Sequence, residues 1–171
     1  MVINREWAMP NGKTFSIKPI KEIIERYIKE SGAKVIVDPF ANGSKIGTIT
    51  NDLDPEYDTD FHMDANEFLR TLEDNSADMV LYDPPYTPNQ VKTLYNKLDK
   101  TVDFESTSCG YWAKTKTEIA RILKPGGICI TCCFNSGGIG KKNNFEIIEI
   151  LLVNHGSMHN DTIVTVERKK E

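Results

Sequence analysis

One short stretch of the sequence combines residue types that are suited to holding an amine. Tyr82-Asp83-Pro84-Pro85-Tyr86 comes directly after the apolar run Met79-Val80-Leu81. Asp83 supplies an acceptor carboxylate, the two prolines restrict the backbone, and Tyr86 adds an aromatic ring. A planar amine could donate hydrogen bonds to the carboxylate while it stacks on the ring. The stretch therefore predicts an amine-binding site at the end of a buried strand.

Acidic residues also end three earlier predicted strands, namely Asp38, Asp52 and Asp64. Packing of a core does not by itself require an acid at the end of a strand. In a parallel sheet with helices on both faces, ligands bind at the carboxyl ends of the strands. We therefore expect these acids and Asp83 to lie around one crevice. Asp54 is an alternative to Asp52 for the same position.

The spacing of apolar residues predicts a chain in which strands and helices alternate, and hence an α/β fold. Helices are expected at Pro19–Ser31, Ala65–Leu72, Pro88–Asp99 and Trp112–Leu123. Strands are expected at residues 34–38, 46–50, 61–65, 78–82, 128–134, 145–153 and 162–166. The short loop 154–161 favours an antiparallel pairing of the last two strands. Residues 1–18 are expected to be extended, and Lys100–Gly110 to form a mobile lid.

Length and charge limit the class of protein. A chain of 171 residues fits one domain, residues 1–171, with a single core. The net charge of −4 is unlike that of a protein that coats nucleic acid, so any such contact must come from a local patch. The amino terminus lacks the apolar core of a signal peptide, and no run reaches the roughly 18 apolar residues of a membrane span. We expect a cytoplasmic protein without membrane contact.

Several other kinds of site are disfavoured by residue spacing. The loop Asn42–Gly47 lacks the Gly-x-Gly-x-x-Gly pattern of nicotinamide binding, and no complete phosphate loop occurs. Cys129 and Cys132 have the gap of a zinc ligand pair, but side chains at that spacing in a strand point to opposite faces. Buried free thiols are expected instead. His155 and His159 lie in a glycine-containing turn and are not expected to bind a metal.

Two of these segments resemble motifs of one enzyme family. Asp83-Pro84-Pro85-Tyr86 resembles the Asp-Pro-Pro-Tyr motif of class I S-adenosylmethionine-dependent amino-methyltransferases. Asp38-Pro39-Phe40-Ala41-Asn42-Gly43-Ser44 resembles their Asp-Pro-Phe-x-Gly-x-Gly cofactor loop, with Asn42 where glycine is usual. Asparagine tolerates a left-handed backbone, so the loop is expected to survive this change. The resemblance extends over nearly the whole chain and is strongest for small phage-type adenine-specific DNA methyltransferases.

The resemblance implies a fold and a cofactor. The fold is a Rossmann-like, mostly parallel sheet of seven strands, with the last strand antiparallel and inserted between strands five and six. The cofactor is S-adenosylmethionine, which leaves as S-adenosylhomocysteine. Asp52 would bind the ribose hydroxyls, and Asp64 with Ala65 would meet the adenine. The implied cofactor residues are Phe15, Ser16, Ile17, Asp38, Pro39, Phe40, Ala41, Asn42, Gly43, Ser44, Asp52, Leu53, Asp64, Ala65 and Asp83.

The implied reaction is methyl transfer to an exocyclic amino group, with N6 of adenine in DNA as the leading substrate. Asp83, Pro84, Pro85 and Tyr86 are the implied catalytic residues: the carboxylate and the Pro84 carbonyl accept the two amine hydrogens, and Tyr86 stacks on the base. Asp-Pro-Pro-Tyr recognises an amine and not a sugar. The same chemistry on RNA or a free nucleotide therefore remains open, as does a non-catalytic module that binds the cofactor or nucleic acid.

Target recognition is expected to be limited. Strands and helices use all the residues between the cofactor loop and the Asp-Pro-Pro-Tyr motif, so no separate target-recognition domain is expected. The protein is then expected to read sequence weakly, to accept a small target, or to depend on homodimerisation or a partner protein. The expected substrate contacts are Tyr86, His159, Asn160 and, as part of a lysine rim, Lys141. Trp7 is expected to cover the core, with base stacking as the alternative.

Overall fold

A computed structural model of the chain describes residues 1–86, 90, 91, 93, 109–156 and 159–171. These residues contain one seven-stranded sheet. Its strands are β1 (Val2–Trp7), β2 (Ile36–Asp38), β3 (Ile49–Thr50), β4 (Ala77–Tyr82), β5 (Leu123–Cys133), β6 (Phe145–Asn154) and β7 (Thr162–Lys169). Most of the predicted helix Pro88–Asp99 and most of the predicted lid Lys100–Gly110 lie outside the described residues; residues 90, 91 and 93 are helical as predicted.

The strand order across the sheet is β1-β6-β7-β5-β4-β2-β3. Strand β7 is antiparallel to both of its neighbours, β5 and β6, and the other neighbouring pairs are parallel. The predicted insertion of an antiparallel last strand between strands five and six is confirmed. Because β2, β4 and β5 run in the same direction, their carboxyl ends meet at one edge of the sheet.

Among the helices of the described residues are α1 (Lys18–Ser31), α2 (Ala65–Thr71) and α3 (Cys109–Ile122), which pack against the sheet. Helix α1 buries Ile20, Ile23, Ile24 and Tyr27, which recur at helical spacing. It ends at Gly32, whose φ of 65° is the left-handed conformation that glycine adopts without a steric cost. Helix α2 begins at Asp64, whose side chain accepts hydrogen bonds from the backbone N–H groups of Asn66 and Glu67.

The helices cover both faces of the sheet, and alternate residues of β4 show this directly. Met79 and Leu81 join the core beneath α1, whereas Val80 and Tyr82 join the core beneath α2 and α3. A strand buried on both faces has no polar side, which explains its continuous apolar sequence. The predicted α/β class with helices on both faces is confirmed.

One predicted strand is wrong. Residues 61–65 do not form a strand: only Phe61 makes an isolated parallel bridge, to Asn51. Side chains take the backbone hydrogen bonds there, since Asp60 Oδ2 accepts from the Thr50 N–H at 2.8 Å and Asn51 Oδ1 accepts from the Met63 N–H at 3.0 Å. The seventh strand is instead β1, in a segment that was expected only to be extended, and it pairs in parallel with β6.

Trp7 lies at the end of β1 with 62% of its surface exposed. The expectation that it covers the core is therefore wrong. Strand β1 is exposed along its whole length because it is the edge strand of the sheet. No helix in the described part of the chain is long and apolar enough to cross a membrane.

Candidate active site

Asp83 follows directly after β4 and is half-buried. Its Oδ1 accepts a hydrogen bond from the Tyr86 hydroxyl, and the Thr14 side chain lies near the same carboxyl group. Burial raises the pKa of Asp83 to about 6, although the Tyr86 hydroxyl and the Thr14 side chain both act in the opposite direction. A carboxyl group with this pKa is mostly ionised at neutral pH and becomes protonated in mild acid.

Tyr86 is held by contacts at both ends of its side chain. Its hydroxyl donates to Asp83, and its ring meets Phe134 edge to face with 4.7 Å between the ring centroids. Its backbone N–H donates to Gln90 Oε1 at 2.7 Å. Phe134 was not singled out in the sequence, because nothing local marks it; it reaches Tyr86 only because β5 lies beside β4.

A cavity of about 510 Å³, here called the acidic cavity, opens beside Asp83. Phe40 forms part of its apolar wall and lies 5.9 Å from Tyr82 and 6.3 Å from Trp112, measured between ring centroids. The predicted residues that line this cavity are Pro39, Phe40, Asn42, Asp52, Leu53, Asp54, Asp64, Ala65, Asp83 and Pro85. Tyr111 and Trp112 of α3 also line it, and no motif in the sequence identifies them as site residues.

Asp52 and Asp54 organise the loop that forms one wall of the acidic cavity. The Asp52 carboxylate accepts from the backbone N–H of Asn42 at 2.8 Å and from that of Asp54 at 2.9 Å. Burial raises the pKa of Asp52, and these two N–H groups act against it. Asp54 is more deeply buried, with 1% of its surface exposed, and accepts from the Glu56 N–H at 3.0 Å.

Asp64 caps a helix and also faces the acidic cavity. Its Oδ1 accepts from the Asn66 N–H at 2.9 Å, and its Oδ2 accepts from the Tyr111 hydroxyl at 2.6 Å. The cap explains why an acid stands at this position without reference to a ligand. Ala65, the first residue of α2, lines the cavity beside it.

Asp38 lies beneath the cavities and is fully buried. Its Oδ1 accepts from the Phe40 N–H at 3.2 Å, whereas its Oδ2 has no hydrogen-bond partner in the structure. Burial raises the pKa of Asp38 well above its ordinary value, and the charges of Asp83 and Asp52 raise it further. A buried carboxylate oxygen without a partner is costly, and the raised pKa reflects this because burial favours the protonated carboxyl.

A second cavity, of about 210 Å³ and here called the small cavity, lies between the amino-terminal segment and the loop after β2. The predicted cofactor residues on its wall are Phe15, Ser16, Phe40, Ala41, Asn42, Gly43, Ser44 and Asp83. Lys13 and Lys21 line it as well. Of the predicted cofactor residues, only Asp38 and Ile17 lie outside both the acidic and the small cavity.

A third cavity, of about 490 Å³ and here called the polar cavity, lies on the other side of Asp83. Its wall includes Pro84, Tyr86 and Phe134, together with the polar side chains of Asn11, Gln90, His155, His159 and Asn160. The structure therefore brings His159 and Asn160 to the same cavity as Asp83. His155 is engaged elsewhere, because its Nδ1 bonds to the Ala8 carbonyl at 2.7 Å and its Nε2 to the Thr162 hydroxyl at 2.8 Å.

Lys141 is not brought to this region. It lies in a short 3-10 helix, Lys141–Asn143, directly before β6 begins at Phe145. Strands β4 and β6 run in the same direction, so the start of β6 and the end of β4 lie at opposite edges of the sheet. Lys141 and Asp83 are therefore at opposite edges, and Lys141 lines none of the three cavities.

Cys129, Cys132 and Cys133 are free and lie on strand β5. Cys129 belongs to the core beneath α2 and α3, whereas Cys132 belongs to the core beneath α1. The prediction that their side chains diverge is confirmed. Within residues 1–86, 90, 91, 93, 109–156 and 159–171, no group of three or more His, Cys, Asp and Glu side chains could hold a metal ion.

No protein-family model matches the chain, and no curated protein sequence matches it. Several solved structures are similar to this chain. An S-adenosylmethionine-dependent methyltransferase from Archaeoglobus fulgidus shares 12% identity over 89% of this chain and 94% of its own, with a TM-score of 0.54. TrmN from Thermus thermophilus shares 16% identity over 90% of this chain, with a TM-score of 0.56. The chain spans about half of TrmN, 49% of its length.

A third similar structure was solved with two ligands bound. It is the 1,6-didemethyltoxoflavin-N1-methyltransferase from Burkholderia thailandensis, in complex with 1,6-didemethyltoxoflavin and S-adenosylhomocysteine. It shares 12% identity over 88% of this chain and 78% of its own, with a TM-score of 0.55. Likeness at such low identity concerns the fold and not the function. The chain has the Rossmann-like fold of class I methyltransferases.

Proposed function

We propose that this protein transfers a methyl group from S-adenosylmethionine to an exocyclic amino group, with N6 of adenine in DNA as the leading substrate. The observation that carries the proposal is the position of Asp83. This carboxylate lines the acidic, small and polar cavities at once. A group at such a junction can act on a bond that forms between two ligands, one on each side.

The acidic and small cavities together suit the proposed cofactor. S-adenosylmethionine supplies a methyl group on a cationic sulfonium, joined to an adenosine and a methionine end. The acids of the acidic cavity repel a pyrophosphate but tolerate a cation with a ribose and an adenine. Apolar rings from Phe40 and Trp112 suit the flat adenine. Asp38 is fully buried and lines neither cavity, so we assign it to holding the loop after β2, which borders the methionine end of the cofactor, through the hydrogen bond that its Oδ1 accepts from the Phe40 N–H.

The polar cavity would receive the amine. The lone pair of an exocyclic amino group is delocalised into its ring, so the nitrogen is a weak nucleophile until its hydrogens are held. Asp83 and the Pro84 carbonyl would accept those two hydrogens, which directs the lone pair toward the methyl group. The Tyr86 hydroxyl occupies Asp83 Oδ1, so Oδ2 is the oxygen we assign to the amine.

Tyr86 and Phe134 would form the aromatic side of the polar cavity and hold the ring that bears the amine. His159 and Asn160 would contact the rest of the target from the opposite side. A base in duplex DNA must first leave the stack, at a cost of roughly a few kcal/mol, whereas a single strand avoids most of that cost. A second copy of the chain or a partner protein would help to select the target.

Methyl transfer from labelled S-adenosylmethionine tests the proposal. Duplex DNA, single-stranded DNA, RNA and free nucleotides are offered in parallel, and the modified base is identified by mass. We expect N6-methyladenine in DNA, absent with Asp83→Asn. Labelled methyl groups found in RNA or in a nucleotide would support the proposed methyl transfer but show that the substrate class is not DNA. Cofactor binding by calorimetry without transfer to any acceptor would favour a non-catalytic module, and absence of binding would refute the proposal.

A further inference from the structure

Asn42 makes two hydrogen bonds that join separate parts of the chain. Its backbone N–H donates to Asp52 Oδ2 at 2.8 Å, within the loops around the acidic cavity. Its side-chain Nδ2 donates to the carbonyl of Gly12 at 2.6 Å, in the segment between β1 and α1. Asn42 also lines the acidic, small and polar cavities. It therefore ties the amino-terminal segment to the loop after β2 at the point where the cavities meet.

The segment from Ala8 to Ile17, here called the strap, is fastened at both ends. At its start, the Ala8 N–H donates to the Asn154 carbonyl at 3.1 Å, and the Ala8 carbonyl bonds to His155. At its end, Phe15 and Ile17 are buried in the core beneath α1. Gly12 lies in the exposed middle of the strap, where nothing is buried to hold it.

The strap separates the small cavity from the polar cavity. Lys13, Phe15 and Ser16 line the small cavity, whereas Pro10, Asn11 and Gly12 line the polar cavity. Thr14 lines both cavities and lies near Asp83. The position of Gly12 therefore decides how far both cavities are closed and how firmly Thr14 is held against Asp83.

We propose that Asn42 is a positioning residue whose side chain latches the strap over the bound methyl donor. The inference rests on the proposed function, because it takes the small cavity as part of the donor site. With the latch made, the strap closes the small cavity and slows release of the donor. With the latch broken, the middle of the strap is free to move while both of its ends stay fastened.

The backbone conformation of residue 42 does not explain why this residue is asparagine and not glycine. Its φ of 47° is left-handed, a conformation that glycine adopts more easily than asparagine. The chain offers two matched positions, Asn75 with φ 51° and Asn144 with φ 66°, neither of which lines any of the three cavities. Glycine relieves the same backbone restriction at all three positions but breaks the latch only at residue 42.

Four variants test the latch: Asn42→Gly, Asn42→Asp, Asn75→Gly and Asn144→Gly. Asn42→Asp keeps the shape and the turn preference, removes the donor and places a carboxylate oxygen that repels the Gly12 carbonyl. Because one neutral hydrogen bond is lost, we expect both Asn42 variants to bind S-adenosylmethionine about 3- to 10-fold more weakly by calorimetry. The loss should appear as faster dissociation in stopped-flow measurements. The two control variants should bind as the unaltered protein does.

Hydrogen exchange tests the latch without any ligand. Backbone amides of residues 11–13 should exchange several-fold faster in Asn42→Gly than in the unaltered protein, with no such change in Asn75→Gly. Unchanged exchange, or donor binding in Asn42→Gly equal to that of the unaltered protein, would overturn the latch. If the unaltered protein binds no S-adenosylmethionine but exchange still rises in Asn42→Gly, the proposed function fails and the latch stands as a structural contact.

Discussion

Asp83→Asn should make the protein more stable and inactive at the same time. Burial holds the pKa of Asp83 at about 6, against an ordinary value of 3.8. A raised pKa means that folding favours the protonated carboxyl, so ionisation at neutral pH costs stability. Each pKa unit corresponds to about 1.4 kcal/mol, so the shift of roughly two units amounts to at most about 3 kcal/mol. Asparagine keeps an acceptor for the Tyr86 hydroxyl and carries no charge.

The sign of this effect sets its pH dependence. The stabilisation from protonated Asp83 is fully present below pH 3.8, the ordinary value, and is lost as the pH rises through about 6. The advantage of Asp83→Asn should therefore grow between pH 4 and pH 7 and stay constant above it. Urea unfolding of both proteins at pH 5 and pH 8 measures the difference. Methyl transfer by the unaltered protein should rise over the same pH range, because the ionised carboxylate accepts the amine hydrogens.

Asp78→Asn is a matched control for which the expected change in stability has the opposite sign. The ammonium group of Lys124, 2.6 Å from Asp78 Oδ1, and the Val35 N–H lower the pKa of Asp78 to about 2. Stability from this carboxylate is present above its ordinary pKa and lost as the pH falls through about 2. Asp78→Asn should therefore cost about 1 to 2 kcal/mol at pH 8.

Two results would refute the reasoning on Asp83. An Asp83→Asn variant no more stable than the unaltered protein at pH 8, while Asp78→Asn behaves as expected, would show that burial does not penalise the charge. Methyl transfer retained within about 10-fold would show that the carboxylate is not the acceptor, since loss of one positioned group in an active site typically costs 100-fold or more.

Three further predictions concern other parts of the chain. Glu149→Ala should lower the free energy of unfolding by about 3 kcal/mol in urea, because this carboxylate is 5% exposed and accepts hydrogen bonds from three side chains. His159→Ala with Asn160→Ala should raise KM for the methyl acceptor several-fold and leave donor affinity unchanged, whereas Lys141→Ala should alter neither; equal KM values would contradict the assignment. Asp64→Ala should destabilise the protein by about 1 to 2 kcal/mol in thermal unfolding through loss of the helix cap, and an unchanged midpoint would count against that role.

Local pattern was sufficient to predict several elements of the fold. Helix α1 follows from apolar residues at helical spacing and a glycine stop, which are properties of neighbouring residues alone. The order of β5, β6 and β7 follows from the resemblance, and the short loop before β7 agrees with it. The candidate residues Asp83 and Tyr86 were identified because two prolines between an acid and an aromatic ring form an unusual local combination.

Other features depend on residues far apart in the chain. Strand β1 forms because the edge of β6 offers it backbone partners more than 140 residues later, as the pairing of Val2 with Glu149 shows. Residues 61–65 have a strand-like pattern, but nearby side chains take the backbone groups that a ladder would need. Lys141 is close to β5 in sequence, yet the direction of β6 places it at the opposite edge of the sheet.

The sequence by itself determined the chemical types at the candidate site: a carboxylate between a strand and two prolines, a small-residue loop, and acids after short apolar runs. Tertiary structure alone decided what each acid contacts. Asp64 is held by a helix start and by Tyr111, whereas Asp38 is buried with one oxygen unpartnered. These differences arise from contacts between distant elements, which local pattern does not encode. Contacts between distant elements likewise place Asp83 where three cavities meet.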